Sequence, residues 1–170
     1  MEYCKKSVYL SLGSNVEPSE FFLRAAITDL SKFMVFEEVS SLYRSAPLED
    51  TNQDDFYNIA ARFNGYNGSP EELLIAVQKI EIDIGRVKDP LRPKGPRIID
   101  IDILFFSDNR IDSKHLCIPH KGLLSRRFML EPLVEIYAGD GYFNLDFLRE
   151  ALKDVTDQQL TVIGEFDFGK

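Results

Sequence analysis

Two acids stand one residue apart at Asp100 and Asp102, inside the run Ile98-Ile99-Asp100-Ile101-Asp102-Ile103-Leu104-Phe105-Phe106. The run is rich in β-branched and aromatic residues and reads as a strand from Ile98 to Phe106. Residues two apart on a strand point to the same face, so the two carboxylates project together while Ile99, Ile101, Ile103 and Phe105 share the other face. Carboxylates held side by side repel one another unless a cation lies between them. Mg²⁺ is the natural choice, because it is a hard ion that takes carboxylate oxygens and shares its coordination with substrate phosphates. A plainer description also fits the pair: an exposed strand face carrying two solvated acids.

The residues just upstream bear on that choice. Five basic residues face one acid between Arg86 and Arg97, in a chain whose 20 Lys and Arg are outnumbered by 28 Asp and Glu for a net charge of −8. Three prolines and a glycine preclude a helix there, so the segment is a loop whose Arg and Lys side chains could close over a polyphosphate. A basic loop that is merely solvated is the alternative. The acidic balance of the whole chain excludes a DNA-coating or membrane-surface protein.

Other elements must position these groups. Val8, Leu10 and Leu12 alternate with smaller or polar neighbours before Gly13-Ser14-Asn15, which predicts a strand ending in a turn. After Pro18, Phe22, Ala26, Leu30 and Phe33 recur at helical spacing and predict a first helix buried on that face. Phe36 to Tyr43 reads as a second strand and Phe56 to Phe63 as a third. The loop between them is rich in Pro, Asp, Asn and Gln, a place where a ligand could be gripped. Ser69-Pro70-Glu71-Glu72 combines a Ser cap, Pro at the first helical position and Glu three residues after the cap. Leu73, Val77, Ile80 and Ile84 then supply a buried stripe, and Gly85 the stop.

The order strand, helix, strand, strand, helix, strand predicts an α+β fold with a ferredoxin-like βαββαβ core. Extra helices at 123–136 and 144–153, with a short strand at Leu160 to Ile163, are expected to cover the other sheet face and complete α-β-α layers. At 170 residues, 44% hydrophobic, with 13 Phe and 7 Tyr, the chain is expected to form one domain over residues 1–170 without metal or disulfide staples. Cys4 and Cys117 lie far apart with no zinc-ligand spacing, and read as reduced thiols of a cytoplasmic protein. No window is apolar over the length needed to span a bilayer, and MEYCKKSVYL lacks the apolar core of a signal peptide.

The string Gly95-Pro96-Arg97-Ile98-Ile99-Asp100-Ile101-Asp102-Ile103-Leu104 closely resembles the signature of the 6-hydroxymethyl-7,8-dihydropterin pyrophosphokinase family of folate biosynthesis. Further blocks match in the same order: Leu12-Gly13-Ser14-Asn15, Tyr43-Arg44-Ser45, Phe56-Tyr57-Asn58, Gln78 to Arg86, Ile118-Pro119-His120, and Arg126 to Leu130. The resemblance implies a ferredoxin-like enzyme that transfers the β,γ-diphosphate of ATP to the pterin hydroxymethyl oxygen and releases AMP. It implies Asp100 and Asp102 as ligands of two Mg²⁺ ions, and Arg86 and Arg97 as phosphate-gripping catalytic arginines. Guanidinium suits that task because its fork holds two phosphate oxygens. Gln78, Glu81, Lys88, Ile103 and His120 are implied as further ATP contacts. Ser45, Phe56, Asn58, Arg126 and Phe128 are implied for the pterin, whose amide-and-amine edge wants a side-chain amide and whose ring wants aromatic faces.

Taken singly, each Phe fits a core position, Gln78 and Glu81 a solvated helix edge, and His120 a structural histidine; Arg127 fits simple surface charge. The chain departs from many relatives in having Lys94 where a loop Trp closes over the pterin, in a loop one residue longer. His115 stands in place of an Arg, and Lys121 in place of an aromatic residue. The implied partners are ATP and the pterin, with no nucleic acid, no membrane, no obligate protein partner and no room for a fused second folate-pathway domain. The competing description is a non-catalytic ferredoxin-like module that binds a small ligand or RNA. An RNA reader needs a glycine-aromatic strand motif and a basic sheet, neither of which the sequence has. A ligand sensor does not require adjacent acids and arginines.

Overall fold

In the computed structural model, which describes residues 6–168, strand β1 (Val8–Ser14) lies between β4 (Phe56–Asn64) and β5 (Asp100–Phe106), antiparallel to both. Two shorter strands, β2 (Val35–Val39) and β3 (Leu42–Ser45), pair with the far side of β4, and the C-terminal β8 (Leu160–Gly164) extends the sheet beyond β3. The order is β5-β1-β4-β3-β8, with β2 also on β4. A separate hairpin is formed by β6 (Ile111–Asp112) and β7 (Cys117–Ile118). Cys117 is a free thiol; Cys4 lies outside the described residues. Among the described residues no helix is long and apolar enough to cross a membrane.

The expected second strand, Phe36 to Tyr43, is in fact β2 and β3. Ser40 separates them: its N–H donates to the Ala60 carbonyl at 2.9 Å, while its hydroxyl accepts the Ala60 N–H at 2.9 Å. The side chain thus takes a bond that a ladder carbonyl would otherwise accept, which ends the regular pairing.

Helix α1 (Ser19–Leu30) buries Ala26 and Leu30 of the expected stripe, together with Leu23 and Ile27, while Phe22 is half-buried and Phe33 exposed. The helix stops at Leu30, so Phe33 falls outside its phase and is left exposed, and the buried face is widened to take in Leu23 and Ile27. Helix α2 (Pro70–Ile84) follows the sequence closely: the Ser69 and Glu72 side chains each take the other's backbone N–H, and Gly85 closes the helix at φ 116°, a conformation that costs glycine little.

Both α1 and α2 cover one face of the sheet, where Leu10, Leu12, Ile59, Ile101 and Ile103 meet Leu23, Ile27, Leu73 and Val77. The other face is covered by α3 (Arg127–Ile136) and α4 (Leu145–Lys153), where Tyr9, Ala60, Leu104 and Phe105 meet Leu130, Leu133 and Leu148. Helices therefore lie on both faces of an antiparallel sheet, as expected. Phe105 does not share the face of Ile101 and Ile103. The pairing of β1 with β5 shifts between Tyr9 and Leu10, which oppose Phe105 and Ile103, so Leu104 is an extra residue and the alternation slips there.

Candidate functional site

Along β1 the positions on the face towards α3 and α4 are Tyr9, Ser11 and Gly13. Tyr9 is buried among the helices, but Ser11 and Gly13 are small and lie where helical cover ends, so this end of the sheet opens into a cleft. The strand pairing sets the floor of the cleft: Asn58 of β4 and Asp100 of β5 oppose Gly13 from its two sides, and Asp102 opposes Ser11. Ser45 ends β3, Phe56 begins β4, Phe128 lies in the first turn of α3 and Arg126 immediately precedes it; all four line the cleft with Asn58, Arg97, Asp100 and Asp102. Five residues implied for a pterin and the two acids are thus brought to one place.

Asn58 is only 2% exposed and is fixed in orientation. Its amide nitrogen donates to Ser45 Oγ at 2.9 Å and to the Phe56 carbonyl at 3.3 Å, which turns Oδ1 towards Gly13 as an acceptor. A Cβ on Gly13 would stand 3.1 Å from that oxygen, so the glycine gives the amide its room.

The acids already have partners. Arg86 Nη1 donates to Asp100 Oδ1 at 2.7 Å, and Arg97 Nη1 to Asp100 Oδ2 at 2.8 Å. His120 Nδ1 accepts the Gly122 N–H at 3.1 Å, which leaves its ring proton on Nε2, 3.5 Å from Asp102 Oδ1. Burial alone would raise the Asp102 carboxyl, but the His120 hydrogen bond, with the nearby charges of Arg126 and Arg86, outweighs it and holds the group below the usual carboxylate range.

Glu81 is not a helix-edge residue. It is 5% exposed, accepts the Ile101 N–H at 2.7 Å, and is hydrogen-bonded to Arg86. Burial pushes its carboxyl up to about 7 against the opposing pull of Arg86 and the Ile101 N–H. It therefore orients Arg86 and ties α2 to the strand bearing the acids.

The remaining implied residues are more dispersed. Ile103 is in the core beneath α1 and α2, while Gln78 and Lys88 are exposed and have no side-chain partner among the described residues. Lys88 lies with Arg86 and Arg97 in a recess formed by the basic loop itself. His115 and Lys121 are exposed. Arg127 is not simple surface charge: it pairs with Glu131 at 2.6 Å and donates to the Thr156 and Gln158 carbonyls, fastening α3 to the segment before β8.

Two organising residues had no role assigned from the sequence. Asn15 grips the backbone of Arg97 twice, donating its N–H to the Arg97 carbonyl at 3.1 Å and accepting the Arg97 N–H at 2.7 Å through Oδ1. Its amide nitrogen reaches Gln53 Oε1 at 2.9 Å. The sequence signal was the polar loop between the second and third strands, which supplies Gln53.

Among the described residues no group of three or more His, Cys, Asp or Glu could hold an ion by itself. Two carboxylates on one floor beside phosphate-competent arginines suit Mg²⁺, which takes one or two carboxylates and completes its shell with phosphate and water.

The fold is shared with wild-type Plasmodium falciparum HPPK-DHPS, whose crystal structure superposes with a TM-score of 0.66 at 16% identity, over 86% of this chain and 44% of that one. The chain belongs to the 7,8-dihydro-6-hydroxymethylpterin-pyrophosphokinase (HPPK) family, whose model matches residues 9–138. It is 39% identical over 130 residues to the 2-amino-4-hydroxy-6-hydroxymethyldihydropteridine pyrophosphokinase of Aquifex aeolicus, covering 76% of this chain and 79% of the relative. The Haemophilus influenzae protein of the same name is 34% identical over 91% of this chain and 96% of its own length. The bifunctional protein FolKE of Lactococcus lactis subsp. cremoris is 35% identical over 94% of this chain, which spans only 46% of that relative.

Proposed function

We propose that residues 1–170 act as one cytoplasmic pyrophosphokinase domain that moves the β,γ-diphosphate of ATP to the hydroxymethyl oxygen of 6-hydroxymethyl-7,8-dihydropterin and releases AMP. The observation that carries this reading is the floor of the cleft, where Gly13 separates the amide of Asn58 from the carboxylate of Asp100. A flat heterocycle on the Asn58 side presents its substituent to the acids on the other. The strand order, with β2 and β3 together in the place of one strand, supports a ferredoxin-like core.

In the proposed reaction the hydroxymethyl oxygen bonds to the β-phosphorus, the bond from that phosphorus to the oxygen bridging the α-phosphate breaks, AMP departs with that oxygen, and the hydroxyl proton leaves to solvent. Asn58 Oδ1 accepts from the donor edge of the pterin, and Phe56 and Phe128 supply apolar faces for its ring. Asp100 and Asp102 would hold two Mg²⁺ ions, which when bound supply charge stabilisation to the phosphate oxygens. Arg86 and Arg97, now on Asp100, are within reach of phosphate oxygens that enter the same space, and Lys88 adds charge to the recess beside them. Gln78 and His120 bound the nucleotide side, with the backbone of Ile103, and Glu81 acts by orienting Arg86. No protein partner, nucleic acid or membrane takes part.

The test is nucleotide product analysis with Mg²⁺, ATP and the pterin. AMP formed only when the pterin is present supports the reading; ADP, or nucleotide turnover indifferent to the pterin, sinks it.

A further inference from the structure

The basic loop does not hang free over the cleft. Arg92 turns away from Asp100 and joins the opposite wall, its Nε 2.6 Å from Asp50 Oδ2 and its Nη2 donating to the Asn52 carbonyl. Gln53 Nε2 donates to the Lys94 carbonyl at 2.8 Å. Lys94 Nζ lies 3.2 Å from Glu49 Oε2, and the other oxygen of Glu49 lies 3.6 Å from Arg126 Nη2. Glu49, Asp50, Gln53 and Lys94 all line the rim of the cleft.

Neutralisation of the catalytic-side acids does not account for these contacts, because Asp100 and Asp102 are already satisfied by Arg86, Arg97 and His120. Nor does local loop structure, since the Arg92, Gln53 and Lys94 contacts each cross from one segment to the other. An exposed ion pair is weak alone. Several contacts between the same two segments reinforce one another, because each one formed holds the next pair of groups close. The Arg92 fork also engages a carboxylate and a carbonyl together, which fixes direction as well as distance.

We infer that Asp50–Arg92, backed by Glu49–Lys94, is an ionic latch that holds the basic loop across the heterocycle side of the cleft. Asp50, Glu49 and Arg92 are thereby positioning residues that set how long the heterocyclic substrate remains bound. The inference rests on the reading of this cleft as the pterin site. In a chain without tryptophan, charge across the rim does what an aromatic lid would do by stacking.

The test measures pterin release from the complex with Mg²⁺ and a nonhydrolysable ATP analogue, followed by pterin fluorescence. Asp50→Asn and Arg92→Gln should each speed release about three- to fivefold, as expected for one partly exposed pair backed by neighbours. The double variant should be no faster than either single, because both remove the same interaction. Release from the parent chain should also quicken as salt is raised, and the salt response should shrink in Arg92→Gln. Unchanged release rates, additive effects in the double variant, or a salt-independent parent would each overturn the latch while leaving the pterin site standing. Failure of the parent chain to bind the pterin would bring down the functional reading itself.

Discussion

Asp100 is held from both sides by arginine, so its removal strips the cleft of a proposed metal ligand, frees Arg97 and leaves Arg86 on Glu81 alone. Asp100→Ala and Asp102→Ala should each lower turnover by about 10² or more, measured as AMP formation, if they hold the ions that stabilise phosphate charge. On the heterocycle side, Asn58→Ala leaves a donor edge of the ligand without its acceptor, a loss of about 1–3 kcal/mol, and should raise the KM for the pterin about 10- to 100-fold. Ser45→Ala removes only the group that steers the amide and should raise the same KM by less, with the KM for ATP unmoved. The acids were legible in the sequence because a period of two puts them on one face whatever the fold. Asn15 and Gln53 were not, since the bonds they make join β1 to two loops that only the folded chain brings together.

At the scale of elements, α2 was the most readable part of the chain because its start and stop are written in local chemistry: a Ser cap, a first-turn proline, a reciprocal glutamate and a left-handed glycine. What that helix does for the site was not readable. Glu81 reaches across to β5 and accepts the Ile101 N–H between the two acids, a contact that spacing along α2 does not disclose. Its carboxyl, raised from an ordinary 4.5 to about 7, binds more protons in the folded chain than in the unfolded one over that interval. Stability therefore falls as pH rises from about 4.5 to about 7, by up to about 1.4 kcal/mol per pH unit from this group. Urea unfolding across that range should show the slope in the parent and lose it in Glu81→Gln, which keeps an acceptor for Ile101. Glu81→Ala, which leaves that N–H unsatisfied, should cost about 1–3 kcal/mol. The split of the second strand into β2 and β3 escaped the sequence for a related reason, because a serine hydroxyl replacing a ladder bond looks like any other serine between apolar residues.

For the whole molecule, the net charge of −8 described the average and hid the distribution, since the arginines of the basic loop are gathered at one cleft. The two apolar layers were foreseen from the extra C-terminal helices, and they share one sheet, with Leu10 buried towards α1 and α2 and Leu133 on α3 facing the other side. Leu10→Ala and Leu133→Ala should each cost about 2–5 kcal/mol. Both should shift one common thermal transition by calorimetry, because β1 and β4 carry side chains into both layers; two separated transitions would contradict that coupling.

The extra residue at Leu104 has a consequence for how this chain tolerates change in length. Strand β5 must be in one phase at its start, where Asp100 and Asp102 face the cleft, and half a period out of that phase at its end, where Phe106 packs towards α1 and α2 and Phe105 towards α3. A perfectly alternating strand of seven residues cannot satisfy both ends, so the bulge at Leu104 absorbs the odd residue. Deleting Leu104 would leave an unbroken alternation, with Asp100, Asp102 and Phe105 on one face and Ile101, Ile103 and Phe106 on the other, so both ends should keep their faces and the loss is the Leu104 side chain from the α3 layer. At this point the bulge, more than the residue that fills it, is what lets the strand carry chemistry at one end and core at the other.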